Sequence, residues 1–496
     1  MNLRFVPFLL ALAASLAAGP APGAEDAPPP ARAAAPAPQR SKLPADSVTK
    51  HTLNLPDRKL AFKANVQTIH LADGKGETVA DVVTTAFLLD GAEAGRRPVA
   101  FIFNGGPGSA SAYLQFGGLG PWRLPLDGGP STPIALIDNA ETWLDFADLV
   151  FIDPPGTGYS RVVAEEARKR LWSVDGDIDA LAATIRRWLA LNERLASPKF
   201  VVGESYGGLR GPRLAEALAT AEGVGVNGLI LISPLLDGHA SFQSSNNPMS
   251  WIGRLPSLAA VAREAKGAIS RADLADVEAY ARGEYCLDFL RGAHDAEAVA
   301  RMSERVAALT GLDRTLVRQL HGRVPANAFA REIARAQGQV TGFYDGTQRA
   351  YDPTPEYYSS DWLDPIGPGW NAPLTSAAAD LYARRLGFKT EERYEISNRD
   401  ANSSWDWSRE RHAPEAFTAL RRILAVDPLL RVLVTHGLTD LVTPYFLTQI
   451  MLDQTPEFGA PGRVTLAVYP GGHMHYTREE SRKALRRDAK ALIDSK

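Results

Sequence analysis

Three short segments carry residue types that could do chemistry together. Gly203-Glu204-Ser205-Tyr206-Gly207 fits Gly-x-Ser-x-Gly. Lys199-Phe200-Val201-Val202 before it reads as a strand, and residues 214–218 after it read as a helix. That context predicts a nucleophile elbow, a tight turn whose glycines hold the Ser205 hydroxyl clear of a sheet. A serine hydroxyl is a weak nucleophile and needs a base, itself oriented by a carboxylate. The strand-like residues 432–435 lead into His436-Gly437-Leu438-Thr439-Asp440. The strand-like residues 464–469 lead into Pro470-Gly471-Gly472-His473-Met474-His475. Asp440 and His473 therefore follow Ser205 in the order acid, then base, each on a loop leaving a strand. The bland alternatives are that Asp440 caps a turn, or that His436 or His475 is the base. His436 precedes the acid, and His475 lies two residues beyond the turn that Gly471-Gly472 favours. A metal on the His-x-His pair lacks a nearby carboxylate or third histidine, so no metal and no cofactor are expected.

Acyl transfer on Ser205 also needs donors for a developing oxyanion. The amide after the nucleophile, Tyr206, supplies one. Asn104-Gly105-Gly106-Pro107-Gly108-Ser109, after an apolar run, supplies the second, with Gly106 as the donor. This glycine run is a poor phosphate cradle: no Gly-Lys-Ser/Thr follows, and Pro107 has no N–H to offer.

These residues need a scaffold. Residues 79–87 alternate and are β-branched, which predicts an antiparallel lead-in strand. Residues 98–103, 148–153 and 228–233 each carry a continuous apolar run, as strands buried on both faces do. Residues 178–195 carry apolar positions at helical spacing. Strands alternating with helices imply a mostly parallel sheet with helices on both faces. The alternation fades over 241–425 and resumes at 431. The expected division is a signal peptide at 1–24, a Pro/Ala-rich tether at 25–50, core at 51–240, an inserted cap at 241–425 and core again at 426–496. Tyr344, Tyr351, Tyr357, Tyr358, Trp362, Trp370, Trp405 and Trp407 either line a cleft or form the cap's own core.

The apolar stretch after Arg4 is shorter than the ~20 residues that span a bilayer. It is read as an export signal rather than an anchor, with no integral span after cleavage. A net charge of −3 over 496 residues gives no basis for nucleic-acid binding. One cysteine, Cys286, permits no disulfide within the chain and reads as a buried thiol. Oligomeric state is not legible.

Four motifs in order now resemble the serine carboxypeptidase family of α/β-hydrolases. They are Asn104 to Ser109 as quoted, Asp153-Pro154-Pro155-Gly156-Thr157-Gly158-Tyr159-Ser160, Gly203-Glu204-Ser205-Tyr206-Gly207-Gly208 and Gly471-Gly472-His473-Met474. The resemblance implies an α/β-hydrolase fold, a peptide substrate and removal of C-terminal residues. It implies that Asn104 and Glu204 bind the substrate's terminal carboxylate, Glu204 as the neutral acid. Two departures stand out. The family's second glutamate aligns with Gly118, and Ser109 stands where eukaryotic members have a cysteine. The second departure implies a disulfide-free, bacterial-type branch, exported to periplasm or medium. The first keeps open an esterase, amidase or acyltransferase with the same triad, and a non-catalytic binding protein is the third reading.

Overall fold

The computed structural model describes residues 43–126, 131, 134–241, 246–357, 364–407 and 413–495. The expected signal peptide and most of the expected tether lie outside them. The tether ends sooner than read from sequence. Strand β1 (Ser47–Asn54) already pairs antiparallel with β2 (Lys59–Ala72), from Ser47 opposite Val66 onward. Alternation is the reason: Val48, Lys50 and Thr52 face out while Thr49, His51 and Leu53 turn inward.

Strand β3 (Thr78–Leu89) pairs antiparallel with β2 and with the strand at Asp148–Ile152. The other strands are β4 (Val99–Phe103), β5 (Asp148–Ile152), β6 (Lys199–Glu204), β7 (Gly228–Ile232), β8 (Arg431–Gly437) and β9 (Val464–Tyr469). The sheet runs β1-β2-β3-β5-β4-β6-β7-β8-β9, and β5 to β9 pair in parallel. Every residue of β4, β5 and β7 is buried. Within β4, Ala100 and Ile102 face one core while Val99, Phe101 and Phe103 face the other. A strand covered on both faces must be apolar throughout, which is why these runs do not alternate.

Helices α1 (Val174–Leu191) and α2 (Tyr206–Thr220) cover one face. After β7 the chain leaves the sheet. Helices α3 (Pro248–Glu264) and α4 (Ala296–Thr310) build a third core. The stretch 241–425 does not pack as a single cap. Helix α5 (Ile366–Asp380) and the residues to Ile396 join the second face of the sheet, where Tyr382 and Tyr394 pack edge-on to Tyr159. Helix α6 (Phe417–Val426) packs on α2 as the crossover into β8. Amphipathic helices that can bury an apolar face on a sheet do so, and low strand content alone did not mark these as cap. The cap is also not separate from the core: α7 (Tyr445–Asp453), just after the acid loop, packs on α3 with Gly253 against Leu447. Helix α8 (Glu479–Asp494) closes the α5 face. Cys286 is half-buried against the cap core rather than fully buried.

Candidate active site

The site lies where strand order reverses. The chain goes from β4 to β5 on one side and then to β6 on the other, leaving a crevice at the carboxyl ends of β4 and β6. The parallel register pairs Phe103 with Gly203. The next residues, Asn104 and Glu204, therefore leave the sheet side by side.

Ser205 sits between β6 and α2 with φ 60° and ψ −120°. Such a conformation costs about 1–3 kcal/mol in a residue with a Cβ, and surrounding contacts must hold it. The Ser205 amide donates to Ile232 O at 3.0 Å, and its carbonyl accepts from Leu235 N at 2.9 Å. The flanking glycines are required by close approach. A Cβ on Gly203 would lie 2.1 Å from Gly207 O, and one on Gly208 2.1 Å from Pro234 Cβ. A Cβ on Gly105 would meet Tyr206 N at 2.4 Å, so the loop after β4 lies directly against the elbow. Among the described residues neither the Gly106 nor the Tyr206 amide donates to a protein acceptor.

Acid and base meet through β8 and β9. Gly437 pairs with Tyr469, and a Cβ on Gly437 would lie 2.0 Å from Gly472 O, so the two loops touch. His473 Nδ1 lies 2.8 Å from Asp440 Oδ2. Asp440 Oδ1 accepts from the Val442 and Thr443 amides at 2.8 and 3.0 Å. The Thr443 hydroxyl lies 2.8 Å from Asp440 Oδ2 and 2.9 Å from Ser233 O, and its one proton is donated to one of these two acceptors at a time. Burial opposes charge on His473. The facing Asp440 carboxylate, its hydrogen bond, and the charges of Glu204 and Asp364 outweigh this and raise its pKa above the ordinary 6.5. Its Nε2 is buried without a hydrogen-bond partner and lines the same cleft as Ser205. The rival histidines face elsewhere. His475 lies 3.2 Å from Thr435 Oγ1 and packs on Tyr469, and burial lowers its pKa to about 3. His436 is buried too, and its pKa falls to about 4. Neither lines the cleft.

The cleft, of about 190 Å³, is bounded by Asn104, Glu204, Ser205 and His473, with Tyr113, Tyr344 and Trp370 on its walls. Glu204 is 2% exposed. Its Oε2 accepts from Asn104 Nδ2 at 2.6 Å and from Tyr476 Oη at 2.8 Å. Burial raises its pKa to about 7, although His473 and these two hydrogen bonds pull the other way.

Five of the seven residues named from sequence, Asn104, Gly106, Glu204, Ser205 and His473, line one cleft. Asp440 reaches it only through His473 Nδ1, and Tyr206 follows Ser205 in the chain without lining the cleft. Its ring is buried against Trp405 and Trp407, which belong neither to the cleft nor to the cap core. Tyr351 and Tyr357 are exposed, and Tyr358 and Trp362 lie outside the described residues. Sequence reasoning missed Thr443, Arg210 and Tyr476. Arg210 is fully buried, forked onto Asp177 at 2.7 and 3.1 Å, and donates to Asn104 O at 2.7 Å. An arginine just beyond the elbow carries no motif. The one usable signal for Tyr476 was the glycine pair Gly117-Gly118, which leaves room for a ring.

Elbow, acid loop and base loop at the carboxyl ends of a doubly covered, mostly parallel sheet define an α/β-hydrolase fold. A serine carboxypeptidase family model matches residues 90–460, and the chain belongs to that family. Pheromone-processing carboxypeptidase KEX1 of Coprinopsis cinerea is 32% identical over 126 residues, 25% of this chain and 20% of that protein. Serine carboxypeptidase-like 35 of Arabidopsis thaliana is 33% identical over 125 residues, 25% of each chain. The chain thus spans about a quarter or less of the length of these curated relatives. A soluble variant of the Saccharomyces cerevisiae monoglyceride lipase aligns over 86% of this chain and 94% of its own, at 12% identity and a TM-score of 0.34. The fold assignment rests on the strand order.

Proposed function

We propose that the protein is a serine carboxypeptidase that releases C-terminal residues from peptides through an acyl-enzyme on Ser205. The observation that carries this reading is the Asn104–Glu204 pair, buried in the lining of the cleft that also holds Ser205 and His473. A donor amide beside a neutral carboxylic acid suits a terminal carboxylate. Capture of that carboxylate beside Ser205 would make the enzyme an exopeptidase.

In the proposed reaction His473 Nε2 takes the hydroxyl proton as Ser205 Oγ attacks the scissile carbonyl. The Gly106 and Tyr206 amides receive the oxyanion. His473 then gives its proton to the leaving nitrogen, the C–N bond breaks, and the terminal amino acid departs. Water, deprotonated by His473, attacks the ester, and Ser205 regains its proton as the shortened peptide leaves. Asp440 stays ionised and orients the imidazole. Ester hydrolysis or acyl transfer would use the same parts. A side chain at Gly118, whose absence motivated that reading, would meet the Tyr476 ring. Export, a bacterial-type branch and action in periplasm or medium belong to the same proposal, supported by the apolar stretch after Arg4 and the single cysteine. Cell fractionation tests it.

Incubation of the purified protein with a peptide mixture, read by mass spectrometry, tests the activity. Stepwise loss from the C-terminus is expected. Internal cuts, or peptides left intact, would overturn the assignment.

A further inference from the structure

The family's second glutamate aligns with Gly118, yet Glu204 is not left alone. Tyr476 follows the base loop and is fully buried. Its ring lies over the glycine pair: a Cβ on Gly117 would be 2.5 Å from Tyr476 Cε2, and one on Gly118 3.3 Å from Tyr476 Cβ and Cδ2. A side chain at 118 would therefore meet the Tyr476 ring. Tyr476 Oη donates to Glu204 Oε2 at 2.8 Å. Asn104 donates to the same oxygen at 2.6 Å, and its orientation is fixed because its Oδ1 accepts from Leu114 N at 3.1 Å.

Both donors thus fall on Oε2, and no described residue hydrogen-bonds Oε1. In a neutral carboxylic acid the carbonyl oxygen is the strong acceptor and the other oxygen carries the proton. Two donors on Oε2 make it the carbonyl oxygen. We propose that Tyr476 is a positioning residue that keeps the proton of neutral Glu204 on Oε1, aimed at the substrate carboxylate, and sets the pH at which that proton is lost. The proposal deepens the carboxypeptidase reading and rests on it for the identity of the ligand. The charged and titratable groups facing Glu204 are His473, Asp440, Tyr113 and Tyr344. None of these donates to it. A second carboxyl at 118 would compete for the same proton. A phenol does not, because burial and the neighbouring Glu204 raise the Tyr476 pKa well above its ordinary value. Glu204 therefore has no second carboxyl beside it with which to share its proton. A hydroxyl donated to a carboxylate favours the ionised form, so its loss must raise the pH at which Glu204 gives up its proton.

The test is Tyr476→Phe, which keeps the ring and removes the hydroxyl. Infrared titration of the intact protein follows the Glu204 carboxyl band, assigned by its disappearance in Glu204→Gln. Alongside it, kcat and KM are measured against pH on a free-acid peptide and on its C-terminal amide. The expected result is an upward move of the Glu204 titration by about one pH unit. The falling limb of kcat/KM for the free acid should move by the same amount, chiefly through KM, with the amide unaffected. A Glu204 titration that stays in place in a folded Tyr476→Phe protein would overturn the proposal. If the titration moves while free acid and amide are cleaved equally, the assignment of Tyr476 stands and the carboxypeptidase reading falls.

Discussion

At the scale of single residues, the site puts two opposed requirements close together in pH. His473 must be neutral to accept the Ser205 proton, and Asp440 raises its pKa above 6.5. Glu204 must be protonated to donate, and burial brings its pKa to about 7. Each group's charge favours the charge on the other, so the limbs belong to the pair. For a free-acid peptide, kcat/KM is expected to rise as His473 loses its proton and fall as Glu204 loses its own, giving a bell rather than a plateau. A stopped assay across pH 4–9 checks this, and a maximum in strong acid would contradict it. Ser205→Ala should lower kcat on the order of 10⁴-fold or more without loss of folding, measured by single-turnover hydrolysis. At this scale much was legible. Ser205, Asp440 and His473 each follow a strand, with a glycine one to three residues away, and those local signals decide their positions. Tyr476 was not legible, because its role depends on contact with Glu204 across 272 positions of sequence.

At the scale of elements, the loop after β4 and the elbow after β6 are held together by a helix pair. Arg210 on α2 forks onto Asp177 on α1 and donates to the carbonyl of Asn104. Its guanidinium also stacks 5.0 Å from the ring centroids of Phe103 and Tyr206. Removing one partner of a buried pair strands the other charge. Arg210→Met should destabilise by about 3–5 kcal/mol in urea unfolding, and adding Asp177→Leu should recover much of that. Activity should not return with stability, because the Asn104 carbonyl still lacks its donor. Equal recovery of both would show that Arg210 does nothing for the loop. The base loop has a corresponding support: the cap loop at Tyr344–Asp345 accepts the His473 amide, and Asp345 bonds both Thr439 and Arg478. The parallel strands were readable because strands buried on both faces must be apolar. The cap boundary was not, because α5 and α6 have the same helical periodicity as the cap helices. Only their partners distinguish them, and partners are long-range facts.

At the scale of the whole molecule, the site makes stability depend on pH. Glu204 titrates near 7 when folded and near 4.5 when unfolded. Between those values the folded state holds a proton that the unfolded state has released. Stability from this group is therefore fully present below about pH 4.5 and is lost as pH rises through 7. The difference is on the order of 3 kcal/mol. Denaturant unfolding at pH 5 and pH 8 should show this decline in the wild-type protein and a smaller one in Glu204→Gln. An identical decline in both would mean that other buried groups account for it. The group responsible lines the cleft beside Ser205, and its capture of a terminal carboxylate is the basis for the proposed exopeptidase action. The most direct measurement compares kcat/KM for one peptide as its free acid and as its C-terminal amide, at a pH where Glu204 is protonated. Recognition by Asn104 and Glu204 predicts a preference for the free acid of about 100-fold or more. Equal turnover of the two would contradict it.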